Sequence, residues 1–386
     1  MSRRITKGRM ILLMLSLIWA WALGQNTEVR GVWLTNVDSK VLESREGISE
    51  AMQFLADHHF NLVCPVVWNK GLTQYRSQVM DSLFGIPVDP VYGGRDPLRE
   101  VIIEAHKRNI AVIAWFEFGF ASSYKKNGGH LLEKFPQWAA RDIEGRLLEK
   151  NGFEWMNAYH PEVRQFLLSL IREVAQNYDV DGVQGDDRLP AQPAHGGYSH
   201  YTIKLYQSEH AGRRPPRDYR DTDWLRWRAG ILNRFAGDVY NMVKSVDPNI
   251  LVTWAPSIYP WSFEEYLQDW PQWVRSGHAD LIFSQNYRYS LHEYKAVVEK
   301  QREVSENIAG AQGILYPGVL INVGDYVIPE EFLRASVQYN RQQGIGGEVF
   351  FFYEGLRKND NRLARLLLES VYKEKADLPI VARFRK

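Results

Sequence analysis

The chain has 386 residues, of which 45% are hydrophobic and 24% charged, and a net charge of +1. That hydrophobic share is too high for a disordered chain and sufficient for one large core. A near-neutral chain has no electrostatic reason to bind nucleic acid or an anionic membrane surface, and its single cysteine, Cys64, excludes an internal disulfide framework.

Residues 1–24 read as a secretory signal peptide. Arg3, Arg4, Lys7 and Arg9 form a basic start, an apolar run covers 10–23, and Ala22-Leu23-Gly24 offers small residues for cleavage. The run is shorter than the roughly 20 residues that span a bilayer, and an uncleaved anchor is the alternative. No cysteine stands near the cleavage point, so no lipid attachment is expected. Removing the basic leader leaves a mildly acidic protein, with export to the periplasm or beyond and no stable membrane span.

Eight short, apolar, β-branched runs follow at 29–38, 61–69, 111–120, 180–187, 250–257, 280–287, 315–322 and 347–354. Helical patterns separate them. Asp96 is placed to cap a helix opened by Pro97, with Leu98, Val101, Ile102 and Ala105 on one face. Pro161 opens another, with Val163, Phe166, Leu167, Leu170, Ile171 and Val174 at helical spacing. Segments 223–246 and 330–342 belong to the same set. Eight β/α units predict an α/β fold, a single (β/α)8 barrel over 25–372, with a basic tail at 373–386 that lies against the barrel or frays. Links from helix to strand are short. Those from strand to helix are long after the second, third and fourth strands, at about 70–95, 121–160 and 188–222. Loops longer than about 12–15 residues are usually functional or disordered. Trp138, Trp155, Tyr159, Tyr198 and Tyr201 argue for order, so the deepest groove is expected beside these three strand ends.

The sharpest strand end is Asp181-Gly182-Val183-Gln184-Gly185-Asp186-Asp187. Alternation sends Val183 toward the helices, points Gln184 and Asp186 inward and leaves Asp187 at the turn. Adjacent carboxylates in a partly dry site repel, so one holds its proton to higher pH, and such a pair can divide acid from base or nucleophile. A loop cap or a pair with Arg188 would be the structural explanation. Glu117, costly to bury in an apolar strand, and Glu354 are the further catalytic candidates; Asp38 and Asp325 are weaker ones. The 13 tryptophans and 20 tyrosines suit a sugar site, because aromatic faces stack on pyranose rings. Trp68, Asn69, Gln184, Trp254, Tyr287 and Arg288 are the candidate substrate-binding residues, while Trp33 and Trp115 are assigned to the core. No dinucleotide, P-loop, serine-elbow or zinc-protease motif is present, and His130, His195 and His200 lack metal-ligand spacing. No cofactor or metal is expected.

The segments Glu28-Val29-Arg30-Gly31-Val32-Trp33-Leu34-Thr35, Trp68-Asn69-Lys70-Gly71, Ala105-His106-Lys107-Arg108, Trp115-Phe116-Glu117 and the Asp181–Asp187 run resemble the bacterial glycosyl hydrolase-10-like family of exported barrels. Tyr266-Leu267-Gln268-Asp269-Trp270-Pro271 and Phe351-Phe352-Tyr353-Glu354 also fit. The resemblance covers about 28–372 and implies a barrel and glycoside hydrolysis. One member class is similar to the division-site glycosidase that cuts peptide-free peptidoglycan strands. The family's acidic cluster after the fourth strand falls on Asp186 and Asp187. Gly185 stands where Phe is common, and the missing ring would widen the pocket or weaken its wall; near Glu117 the family varies between Glu and Asn. The expectation is an exported glycoside hydrolase acting on a bacterial polysaccharide, with peptidoglycan glycan strands as first choice. A catalytically silent, glycan-binding barrel of the cell envelope is the rival reading. A second carboxylate across an open cleft from Asp186 would favour the first, and an Asp186–Arg188 lock the second.

Overall fold

The computed structural model describes residues 27–309, 311 and 313–379, so the expected leader and residues 380–386 lie outside the described residues. Eight parallel strands form the centre: β1 (Val29–Leu34), β2 (Leu62–Pro65), β3 (Ala111–Phe116), β4 (Gly182–Gly185), β5 (Leu251–Trp254), β6 (Leu281–Ile282), β7 (Gly318–Leu320) and β8 (Gly347–Phe351). Neighbours pair in chain order from β1 to β6, and β8 lies between β7 and β1. The remaining seam, β6 to β7, closes through Ile282 N to Ile314 O (2.8 Å), Tyr316 N to Ile282 O (2.8 Å) and Gly318 N to Ser284 O (2.7 Å). The expected barrel is therefore present.

Around it lie α1 (Arg45–Asp57), α2 (Pro97–His106), α3 (Pro161–Asn177), α4 (Thr222–Val246), α5 (Trp270–Arg275), α6 (Leu291–Glu306), α7 (Glu330–Gln342) and α8 (Tyr353–Ser370). Local chemistry sets their starts. Asp96 accepts from Arg99 N at α2, and Asp221 accepts from Trp224 N at α4. The apolar faces expected of α2 and α3 are all buried. Among the described residues, no helix is long and apolar enough to cross a membrane.

A plug of rings fills the barrel. Trp33 lies 6.3 Å from both Trp115 and Phe351 and 6.4 Å from Phe283, between ring centroids. Trp33 Nε1 donates to Gln184 Oε1 (2.7 Å), whose Nε2 donates to Thr253 Oγ1 (3.1 Å). Gly318 leaves the room Trp33 needs, because a Cβ there would stand 3.1 Å from its Cη2.

The amino-terminal face is covered by residues 374–377. Glu28 N donates to Asp377 O (3.0 Å), Asn61 Nδ2 to Ala376 O (3.0 Å) and Arg30 Nη1 to Glu374 O (2.7 Å). Glu28 ion-pairs with Arg30 and Arg341, both at 2.7 Å. Beside them Glu348 accepts from Tyr372 Oη (2.5 Å) and Asn340 Nδ2 (2.9 Å). Burial, reinforced by the Glu28 charge, pushes Glu348 up to about 7.

The long loops leave the opposite, carboxyl-terminal face. After β2 comes a hairpin, Trp68–Asn69 with Leu72–Thr73; after β3 comes a sheet of Ala121–Tyr124, Phe153–Trp155 and Glu149–Lys150. The β4 loop carries the helix His200–Glu209. All three are ordered and stand on one face, as barrel connectivity requires.

Candidate active site

Two neighbouring strand ends build the site. Past β3, Gly119 takes a left-handed φ of 49°, and a Cβ there would collide with the Arg188 carbonyl. The close approach lets Phe120 N donate to Arg188 O (3.0 Å), which locks the β3 and β4 loops together. Glu117, Asp186, Asp187 and Arg188 are thereby gathered at the mouth.

Arg188 is the hub. Its Nη1 lies 2.9 Å from Asp187 Oδ1 as an ion pair, and its Nη2 lies 3.1 Å from Asp186 Oδ2 and 3.5 Å from Glu117 Oε1. Nε donates to the Glu117 carbonyl (3.1 Å), and the Phe153 ring lies beneath the guanidinium, 4.6 Å away. Other donors fix the carboxylates. Asn69 Nδ2 donates to Glu117 Oε2 (2.5 Å), Gln285 Nε2 to Asp186 Oδ1 (2.7 Å) and Gln268 Nε2 to the Asp186 carbonyl (3.0 Å).

Three carboxylates share one guanidinium, so the cluster cannot be neutral with all of them ionised. Burial raises Asp186 well above the usual carboxylate range, and the neighbouring Asp187 charge adds to this against the pull of Arg188. Burial raises Glu117 too, opposed by Arg188 and by the Asn69 hydrogen bond. Burial works against the Arg188 charge, but Asp187, Asp186 and Glu117 outweigh it and keep the guanidinium charged. A buried carboxyl with a strengthened hold on its proton beside a more accessible carboxylate is an arrangement suited to general acid chemistry. Of the aspartates, Asp187 is the accessible one, its side chain 24% exposed against 4% for Asp186.

Tyr287 joins this group. Its ring lies 5.4 Å from Phe351, and its phenol is pushed well up by burial and then by Asp186, Asp187 and Glu117. The remaining candidates lie elsewhere. Trp68 is 0% exposed, donates to Gly119 O (3.0 Å) and packs on Phe166 of α3; Trp254 is 1% exposed, donates to His278 O (2.8 Å) and packs on Trp273 of α5. Both sit between strands and helices and offer no face to a sugar, which corrects that expectation. Gln184 is buried beneath the mouth, where it holds Trp33. Arg288 donates to its neighbour's carbonyl, Tyr287 O, at 2.5 Å. Glu354 accepts from Ser39 Oγ (2.7 Å) and lines a separate cavity of about 460 Å³ with Asp38, Asn322, Asp325 and Arg357.

Gly185 also corrects an expectation. It faces the helix layer, where a Cβ would come within 2.5 Å of Trp254 Cε3. A missing ring there does not widen the mouth, because Trp254 fills that space. Sequence reasoning missed Gln285 and Gln268 as partners of Asp186. Gln285 was legible by alternation, two residues beyond Phe283, which faces the barrel interior against Trp33.

Comparison with known proteins agrees with the fold. Residues 28–330 match the family model described as glycosyl hydrolase-like 10. The chain is similar to glycosyl hydrolase YngK of Bacillus subtilis (strain 168), with 23% identity over 400 residues, covering 91% of this chain and 73% of the relative. It is similar to glycosyl hydrolase DigH of Escherichia coli (strain K12), with 24% identity over 386 residues, covering 89% and 83%. Among solved structures it shares the fold of the PgaB (BpsB) glycoside hydrolase domain from Bordetella bronchiseptica, with a TM-score of 0.65, 13% identity, and coverage of 89% of this chain and 99% of that one. The catalytic domain of a Paenibacillus polymyxa β-amylase gives a TM-score of 0.64 at 9% identity, covering 91% and 99%. The chain belongs to the glycosyl hydrolase-like 10 family.

Proposed function

We propose that the protein is an exported glycoside hydrolase that cleaves glycosidic bonds in a bacterial polysaccharide, with peptidoglycan glycan strands as the first substrate to test. The observation that carries this reading is the trio of carboxylates on Arg188 at the barrel mouth. Asp187, the accessible member, meets the glycosidic oxygen. Asp186 stands behind it with its hold on a proton strengthened by burial, and passes that proton to the ionised Asp187, which delivers it to the glycosidic oxygen and is a carboxylate again afterwards. Glu117, aligned by Asn69 and Arg188, faces the positive charge that develops at the anomeric carbon. An N-acetyl group on the substrate can replace a protein nucleophile, one of the recognised variants of this chemistry. Family membership and the two glycosyl hydrolase relatives support the reaction class, and the basic, apolar leader supports export.

The Arg188–Asp186 pair favours a second reading, a silent barrel that binds glycans. Incubation of purified, peptide-free glycan strands with wild type and Asp187→Asn, followed by mass analysis, separates the two. The hydrolase reading expects new reducing ends with wild type and at least a hundredfold fewer with the variant. Intact strands that still bind wild type would establish the second reading instead.

A further inference from the structure

Three consecutive strand ends are laced together below the carboxylates. Ala255, just past β5, donates its N–H to the Gly185 carbonyl (2.7 Å), and Gln285, past β6, donates its N–H to the Pro256 carbonyl (2.9 Å). On the other side Gly318 of β7 donates its N–H to the Ser284 carbonyl (2.7 Å). The Gln285 backbone is therefore fixed between β5 and β7. Its side chain reaches across β5 to Asp186, at the end of β4.

The direction of the Gln285 amide is fixed too. One atom, Nε2, makes both contacts, to Asp186 Oδ1 at 2.7 Å and to the Ala255 carbonyl at 3.0 Å. A backbone carbonyl can only accept, so the atom facing it must be the NH2 group. A flipped amide would set its oxygen against that carbonyl, and Gln285 is thus held as a donor to Asp186. Arg188 Nη2, 3.1 Å from Asp186 Oδ2, is likewise a donor that cannot accept. Each oxygen of the buried Asp186 carboxyl has one side covered by a fixed donor. The charged and titratable groups around it are Asp187, Arg188 and Glu117, with the Tyr287 phenol in electrostatic reach. The acceptors for an Asp186 proton are the two carboxylates, and Asp187 is the more open, its side chain 24% exposed against 14% for Glu117.

We infer that Gln285 is the positioning residue of the proton path: by holding Oδ1 from the β6 side, it turns the Asp186 O–H toward Asp187. The inference rests on the hydrolase reading for the use made of that proton, whereas the hold on Asp186 belongs to the site with or without turnover. A donor on Oδ1 also favours the ionised form, which eases release of a proton that burial retains.

The test compares wild type with Gln285→Met, which keeps the length and removes the donor. Gln268→Met is the control, because Gln268 donates to the main-chain carbonyl of Asp186 and not to its carboxyl. NMR of isotope-labelled aspartate carboxyls, with Asp186 assigned by its loss in Asp186→Asn, follows the titration without any substrate. Losing a hydrogen bond to the charged form should raise the Asp186 titration by about one pH unit in Gln285→Met and leave it in place in Gln268→Met. On a substrate that wild type cleaves, kcat of Gln285→Met should fall about tenfold or more, with KM within about twofold. The alkaline limb of its pH profile should move up with the titration, since Asp186 keeps its proton to higher pH. Gln285→Glu keeps the shape and adds a carboxylate, so it should raise the titration at least as far; it takes the place of the methionine variant if that one does not fold. An unmoved titration in a folded Gln285 variant, an equal shift in Gln268→Met, or a loss confined to KM overturns the inference. A raised titration with no cleavage by wild type upholds the hold of Gln285 on Asp186 and overturns the hydrolase reading.

Discussion

Replacing Arg188 with methionine tests how the site is held together. The guanidinium is 12% exposed, touches three carboxylates at 2.9, 3.1 and 3.5 Å and also donates to the Glu117 carbonyl. Methionine keeps an apolar stem over Phe153 and removes the charge. Removing one partner of a buried ion pair typically costs about 3–5 kcal/mol, because the other charge is left uncompensated. The cost must depend on pH. Asp186 and Glu117 already have raised folded-state values, so the stability they contribute is complete below their unfolded values and is lost as pH rises through the folded ones. Without Arg188 those folded values climb further and the loss above them deepens. As pH falls Asp186 and Glu117, whose values are raised, take up protons, and a methionine in place of the buried cation should cost less. Urea unfolding at pH 4 and pH 8 measures this, with the slope checked for constancy between the proteins. The expected result is a loss of about 3 kcal/mol or more at pH 8 that is clearly smaller at pH 4. A loss below about 1 kcal/mol at pH 8, or one that is larger at pH 4, would refute Arg188 as the charge clamp.

Further outcomes follow from the same contacts. Asp186→Asn keeps shape and should lower kcat by about 10²–10⁴ on any substrate that proves competent, with the fold retained by circular dichroism; unchanged turnover would remove Asp186 from the proton path. Glu348, raised to about 7 from 4.5, costs the wild type about 3 kcal/mol as pH climbs from 5 to 8, and Glu348→Gln should remove that part of the decline in urea midpoints. A variant whose decline matches wild type would show that Glu348 does not titrate there. Gly185→Ala forces a methyl group against the Leu189 carbonyl oxygen and to 2.5 Å from Trp254 Cε3 and should destabilise by about 1–3 kcal/mol, whereas a neutral result would mean that the Leu189 backbone and the Trp254 ring both shift without cost.

Much of the fold was legible because barrel strands are buried on both sides and their helices on one. The apolar faces of α2 and α3, the Asp96 cap and all eight strands follow from period and capping chemistry. The site was harder, because being near a strand end does not say which face a side chain occupies. Trp254 is in register with Gly185, and its neighbour Thr253 bonds Gln184 inside the barrel, so Trp254 must point outward. The apolar run 347–354 places Glu354 at a strand end, yet β8 stops at Phe351 and Glu354 lies in the first turn of α8, which aims it at Ser39. Arg188 was visible only as a local pairing option. That it also reaches Glu117, 71 residues away, depends on the Gly119 turn, which no local pattern announces.

The seam between Thr27 and Asp377 sets a direction for the molecule. Both described ends of the chain meet on the face opposite the carboxylates. A tether or tag joined directly at Thr27 is attached on the far side of the barrel. A molecule held by that end points its cleft away from its support and toward whatever polymer lies beyond. Immobilisation through the amino terminus should therefore leave the mouth as accessible as it is in free solution.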